Sequence, residues 1–189
     1  MKIQKGTYGY LKRKKNQTIL IVAVFAALIL ATYLIPLSVF KTNQNVFTIA
    51  AALLCLPEAR FIVNLVMLCR ARGCTSRSYD EICGVLPDTV PCSFDLYLTS
   101  YQKNFQISAI AVRGKSVIAL TEDPSCDLKA GEQHIRRLMQ QNNFHAYTVK
   151  IFDSVDSFTR RLSQFADIPE TESRETIEEL MHLFQNISL

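Results

Sequence analysis

Two apolar stretches within the first 70 residues, Thr18–Phe40 and Val46–Leu68, constrain this chain more than any other feature. Each runs 23 residues, and at about 1.5 Å rise per residue a helix of that length crosses a hydrocarbon core about 30 Å thick. The first stretch carries no charge, whereas the second is interrupted by Pro57, Glu58 and Arg60. Only Lys41–Asn45 joins them, so the two helices must run antiparallel as a hairpin. The expectation is a two-span membrane protein that carries a soluble domain.

Orientation follows from the cationic flanks, which stay on the cytoplasmic side of a membrane. Lys12, Arg13, Lys14 and Lys15 precede the first span and Arg70 and Arg72 follow the second, while the connecting loop holds Lys41 alone. Both termini are therefore expected in the cytoplasm, in a multi-pass protein of a bacterial inner (plasma) membrane. Those six flanking cations are expected to contact the anionic headgroups of the lipid bilayer. A cleaved signal peptide fits poorly: the first apolar run is too long, and no small-x-small cleavage site follows it.

Charge divides the chain in two. Residues 1–77 hold 11 Lys or Arg and one acid, and residues 78–189 hold 10 Lys or Arg and 16 acids. The acidic second part is a poor match for a phosphate backbone, so no nucleic-acid partner is expected. The six cysteines, Cys55, Cys69, Cys74, Cys83, Cys92 and Cys126, contain no C-x-x-C and no zinc-ligand spacing, and a cytoplasmic domain keeps them as free thiols. Cys69 and Cys74 lie beside the basic membrane edge, where S-acylation is chemically open.

Beyond a linker at 70–77, Ser78 and Glu81 have capping-box spacing and open a helix to about Leu86 that buries Tyr79, Ile82, Cys83 and Leu86. Phe94–Ser100 alternates, with Phe94, Leu96 and Leu98 on one face and Asp95, Tyr97 and Thr99 on the other. Phe105–Arg113 and Lys115–Thr121 flank Gly114 as a hairpin. Ser125 or Asp127 caps a helix that Asn142-Asn143 ends, with Ile135, Leu138 and Met139 buried and Glu132 facing water. A fourth strand, Ala146–Phe152, then leads to a helix reaching about Ala166. A last amphipathic helix after Pro169 carries Ile177, Leu180, Met181, Phe184 and Ile187, placed to dock on the domain or on a partner. The expected class is α+β: a transmembrane helical hairpin (18–69) after a basic N-terminus (1–17), then a cytoplasmic α-β-β-β-α-β-α-α region with a mixed sheet. The domain proper spans 78–168 and the C-terminal helix 169–189.

Little in this pattern carries chemistry. Glu122 and Asp123 at a strand end, together with Asp95, are the candidate ligands for a hard divalent cation. His134, His145 and His182 stand at no metal spacing, the glycines form no phosphate loop, and no nucleophile–base set can be assembled. No cofactor is expected. The order α-β-β-β-α-β over Ser78–Phe152 resembles the restriction-endonuclease-like core, including nuclease-related domains attached to membrane segments. That resemblance implies an Asp on the second strand and a Glu-x-Lys on the third. Here the second strand reads Ser108-Ala109-Ile110-Ala111-Val112 and the third reads Val117 to Asp123 without Glu-x-Lys, which implies a relative lacking the metal site. With its basic Lys12–Lys15 flank and its spans, the whole chain resembles uncharacterised bacterial two-span membrane proteins with a small cytoplasmic α+β domain.

The functional expectation is a membrane-anchored, non-catalytic interaction or regulatory module. The alternatives are a membrane-tethered metal-dependent hydrolase on a degenerate nuclease-like core, and a small subunit of a transport or cell-envelope complex. Glu58 and Arg60 are the intramembrane polar candidates; each such charge raises the free energy of insertion by about 2.5–3.5 kcal/mol. Either they meet partners on a second copy or another membrane protein through the second span, or that span sits shallow and they reach water.

Overall fold

The computed structural model describes residues 4–40, 46–100, 103–169 and 172–189. They form two compact units: residues 12–70, and a second unit that joins residues 4–11 to residues 71–189. The five-residue connection Lys41–Asn45 lies outside the described residues.

The first unit is built on α1 (Tyr10–Phe40) and α2 (Val46–Arg70), both long and apolar enough to cross a membrane. Both run through an internal proline, Pro36 and Pro57 respectively. The rings of Phe25 and Phe61 lie 5.4 Å apart. Those two residues are equidistant in sequence from Asn43, so the register sets Glu58 level with Leu28 and Arg60 level with Ala26. Among the shielded positions of α2, Ala51, Leu54, Glu58, Phe61, Leu65 and Leu68 recur at alternating three- and four-residue steps. Val22, Phe25, Ile29, Thr32 and Pro36 do the same on α1, the periodicity of two helices sharing one seam.

The second unit is an α+β fold in three layers. Its four-stranded sheet has the order β1 (Cys92–Leu98), β2 (Phe105–Arg113), β3 (Ser116–Leu120), β4 (Thr148–Phe152). The first three strands are antiparallel, and β4 joins β3 in parallel after the crossover through α4 (Leu128–Gln141). Among the described residues four α-helices pack on this mixed sheet, α4 together with α3 (Ser76–Val85), α5 (Val155–Ser163) and α6 (Arg174–Ile187). Helices α4 and α6 cover one face, where Ile135, Met139, Leu180 and Phe184 pack on Ile107, Ile110, Val117 and Ile151. Helices α3 and α5 cover the other, where Ile82, Phe158 and Leu162 pack on Ala109, Ala111, Ile118 and Leu120. Burial on both faces explains why β2 is shielded along its whole length and mostly apolar.

Local chemistry fixes the element ends. Asp127 caps α4 by accepting the Ala130 N–H at 3.1 Å. Asn143, at φ 66°, ends it in a Schellman turn, with Phe144 N–H bonded to Met139 O and Asn143 N–H to Gln140 O. Gly114, at φ 52°, turns the β2–β3 hairpin together with Lys115. The outer edge of β1 is covered by the chain's own ends, the common defence of an exposed strand. Phe94 N–H donates to Gly6 O at 2.8 Å, Tyr97 N–H to Ser188 Oγ at 2.9 Å, and Leu189 N–H to Tyr97 O at 3.1 Å.

Several details depart from the sequence expectation. The cap of α3 is Thr75, whose hydroxyl accepts the Ser78 N–H, so the helix starts earlier and its buried stripe runs through Ser78 and Ile82. Cys83 is consequently exposed. Glu132 turns inward to accept the Ile151 N–H at 3.1 Å while pairing with Lys150 at 3.2 Å. The last helix is part of the core, with Ile177, Leu180, Met181 and Phe184 all buried.

The largest departure is in β1. Phe94 packs on the α3–α5 side, whereas Leu96 and Leu98 pack on the α4–α6 side. Strict alternation would put all three together. Asp95 stands between them in the left-handed region, at φ 56°, and is not paired with Ser108 across the ladder although Phe94↔Ala109 and Leu96↔Ile107 are. Strand β2 changes face at the same level, with Ile107 on one side and Ala109 on the other. The left-handed residue exchanges the faces of both strands without shifting their register.

Candidate functional site

The face exchange turns Asp95 into the centre of the domain's polar architecture. Its side chain is buried, and its Oδ1 accepts the Cys74 N–H at 2.7 Å. The backbone N–H groups of Gly9, Leu11 and Tyr10, where the chain turns into α1, add to that bond in favouring the charged form of the carboxylate. Unsatisfied N–H groups at the start of a helix are a natural anion site, and here the anion is a side chain of the sheet. Gly9 takes φ 77° to present these groups. Gly73 is required by approach: a β-carbon there would lie 2.8 Å from Asp95 Oδ1. A left-handed aspartate mid-strand is a strained conformation, offset by the bond from Cys74 N–H and by the pull of the nearby Gly9, Leu11 and Tyr10 N–H groups. Burial pushes the Asp95 carboxyl up, with the N–H groups of Cys74, Gly9, Leu11 and Tyr10 pulling it back only in part.

Glu122, just beyond the end of β3, holds the next residue of the same segment. Its carboxylate accepts the Thr75 N–H at 3.1 Å, the Thr75 hydroxyl at 2.9 Å, the Ser78 hydroxyl at 2.5 Å and the Ser108 hydroxyl at 3.0 Å. Burial opposes its ionisation, but the donors of Ser78, Thr75 and Ser108 outweigh that and hold the carboxyl below the ordinary glutamate range. Between the two carboxylates lies Cys74. Its thiol is pushed up to about 12, first by burial and then by the charges of Glu122 and Asp95, which disfavours the nucleophilic thiolate. Gln106 completes the hold by accepting the Arg72 N–H at 3.1 Å.

The candidates from sequence therefore separate. Asp95 and Glu122 come to successive residues, Cys74 and Thr75. Asp123 belongs to a local turn, accepting the Ser125 hydroxyl at 2.7 Å and N–H at 3.0 Å, and those bonds hold its carboxyl low. No group of three or more His, Cys, Asp or Glu side chains placed to hold a metal occurs among the described residues. Of the cations expected at headgroups, Lys12, Arg13, Arg70 and Arg72 are exposed and Lys14 and Lys15 half-exposed. On α2, Glu58 is half-buried on the seam and Arg60 is exposed on the opposite side. His134 is half-buried against the Phe105 ring, and burial, then the nearby Arg137, lowers its basicity.

Sequence reasoning missed the part played by residues 4–11. Beside the Gly6 bond, Lys5 Nζ donates to Ser188 O at 2.6 Å, and the Tyr8 ring stacks on Tyr79 at 4.1 Å. Tyr79 in turn meets Phe94 edge-on at 5.0 Å. The available signal was Gly6 and Gly9 with Tyr8 between them inside a lysine-rich run, a composition suited to turns and packing.

No family model matches this sequence, and comparison with curated proteins and with solved structures finds no match.

Proposed function

We propose that this chain is a membrane-anchored, non-catalytic interaction or regulatory module, with its α+β domain in the cytoplasm and both termini on that side of a bacterial inner membrane. The observation that carries this reading is that residues 4–11 and 71–189 form one compact unit, in which Phe94 N–H donates to Gly6 O and Cys74 N–H to Asp95 Oδ1. The segments that precede and follow residues 12–70 thus belong to the same compact unit. That agrees with the cationic flanks at Lys12–Lys15 and Arg70–Arg72 and with two helices of spanning length. The domain's central carboxylates serve its own backbone, which supports a structural role for Asp95 and Glu122 over a metal site.

The second reading, a metal-dependent hydrolase, is favoured by the element order α3-β1-β2-β3-α4-β4 and by acids just past the end of β3. Thermal melting of the full chain in detergent with Mg²⁺ or Mn²⁺ separates the two. The module reading expects no rise in Tm. A rise that disappears in Glu122→Gln/Asp123→Asn supports the hydrolase instead.

A further inference from the structure

The two mid-helix charges of α2, Glu58 and Arg60, have different surroundings, and Arg60 is the one left facing outward. Glu58 shares the seam with Phe61 and Leu54, whereas Arg60 projects about 200° away at 100° per residue. It stands in a stripe with Ile49, Leu53, Leu56 and Val63, each more than 60% exposed. These positions recur at four- and three-residue steps, so they form one helix face with a single cation at its centre. Neither charge has an ion-pair or hydrogen-bond partner among the described residues.

On the membrane reading proposed above, on which this inference rests, that face meets lipid. Arg60 lies about 15 Å along the helix from Arg70 and about 21 Å from Val46, well inside a core about 30 Å thick. Side chains lean toward the N-terminal end of their helix, so Arg60 leans toward the more distant interface. Intramembrane cations are held by partners or by water-filled space.

We propose that the Ile49–Val63 face of α2 docks a transmembrane helix of another protein that carries an aspartate or glutamate at mid-depth, paired with Arg60. A second copy of this chain is the wrong occupant. Two copies inserted in the same orientation and joined through this face bring Arg60 against Arg60. The acid each copy could offer, Glu58, is on the far side of its own helix, and α1 has no acid at all. Charge complementarity therefore selects a different chain.

The test uses the full chain reconstituted in phosphatidylcholine vesicles, with energy transfer to a polyleucine transmembrane helix bearing one central aspartate. The wild type should associate at least fivefold more strongly with this probe than with the all-leucine probe, and Arg60→Leu should show a ratio near one. Leucine is well tolerated in a spanning helix, so loss in that variant reports on the charge. Equal association of the wild type with both probes overturns the proposal and assigns Arg60 to lipid headgroups or water. Self-association of the wild type that Arg60→Leu abolishes overturns it in favour of a second copy. Failure of the wild type to insert into the vesicles, read by protease accessibility, overturns the membrane reading and this inference with it.

Discussion

Asp95 is where a single side chain decides most. Removing its carboxylate leaves the Cys74 N–H without its acceptor, withdraws the charge that the nearby N–H groups of Gly9, Leu11 and Tyr10 favour, and keeps a β-carbon at φ 56° with nothing to offset the strain. Asp95→Ala should destabilise the second unit by about 2–4 kcal/mol. Asp95→Asn should lose less than half of that, because asparagine tolerates the left-handed region and keeps one acceptor oxygen. Urea unfolding of the full chain in detergent, followed by near-ultraviolet circular dichroism, measures both; an Ala variant as stable as the wild type contradicts the clamp. Glu122 gives a pH signature. Its carboxyl is held below the ordinary range, so its ionised form stabilises the fold above about pH 4.3 and that contribution is lost as pH falls through the folded-state value. The stability gap between wild type and Glu122→Gln should therefore be constant near neutrality and close in acid. A gap independent of pH down to 3 would show that the carboxylate charge is not what Thr75, Ser78 and Ser108 hold.

At the scale of elements, α6 is the clearest case of a helix whose sequence shows its apolar face and not its destination. Phe184 is fully buried against the sheet, and the two residues after the helix close the edge of β1. Phe184→Ala should cost about 3–5 kcal/mol, and truncation after Asp167 should abolish the cooperative transition. An unchanged melting curve after truncation would mean that α6 belongs to a partner. The strands and helices were legible because their apolar periods and turn residues agree: Gly114 at a hairpin, Asn142-Asn143 at a helix end, Asp127 at a cap. The face exchange at Asp95 was not. In Phe94-Asp95-Leu96 an acid between apolar residues has the pattern of an outward polar position, and nothing in the pattern signals a positive φ. The hold on residues 4–11 was hidden for a related reason, since a lysine-rich run suggests a solvated or headgroup-bound segment. Asp95 and Glu122 were legible as a place where carboxylates gather. Their hydrogen-bond donors, backbone N–H groups and hydroxyls from distant segments, leave no mark in composition or spacing.

For the molecule as a whole, the central claim is a hairpin inserted so that the segments flanking it stay together in the cytoplasm. Two arguments of different origin bear on it: the cations at Lys12–Lys15 and Arg70–Arg72 favour the cytoplasmic side, and the segments before and after the hairpin belong to one compact unit. Cys83, exposed on α3, is a native reporter for the domain, and Asn43, between the spans, is the position to convert into a reporter for the far side. The direct measurement is labelling of intact cells with a membrane-impermeant maleimide in the Asn43→Cys variant and its parent. The account predicts that the new cysteine reacts in intact cells and that Cys83 reacts only after permeabilisation. Labelling of Cys83 in intact cells, with residue 43 protected, would contradict it.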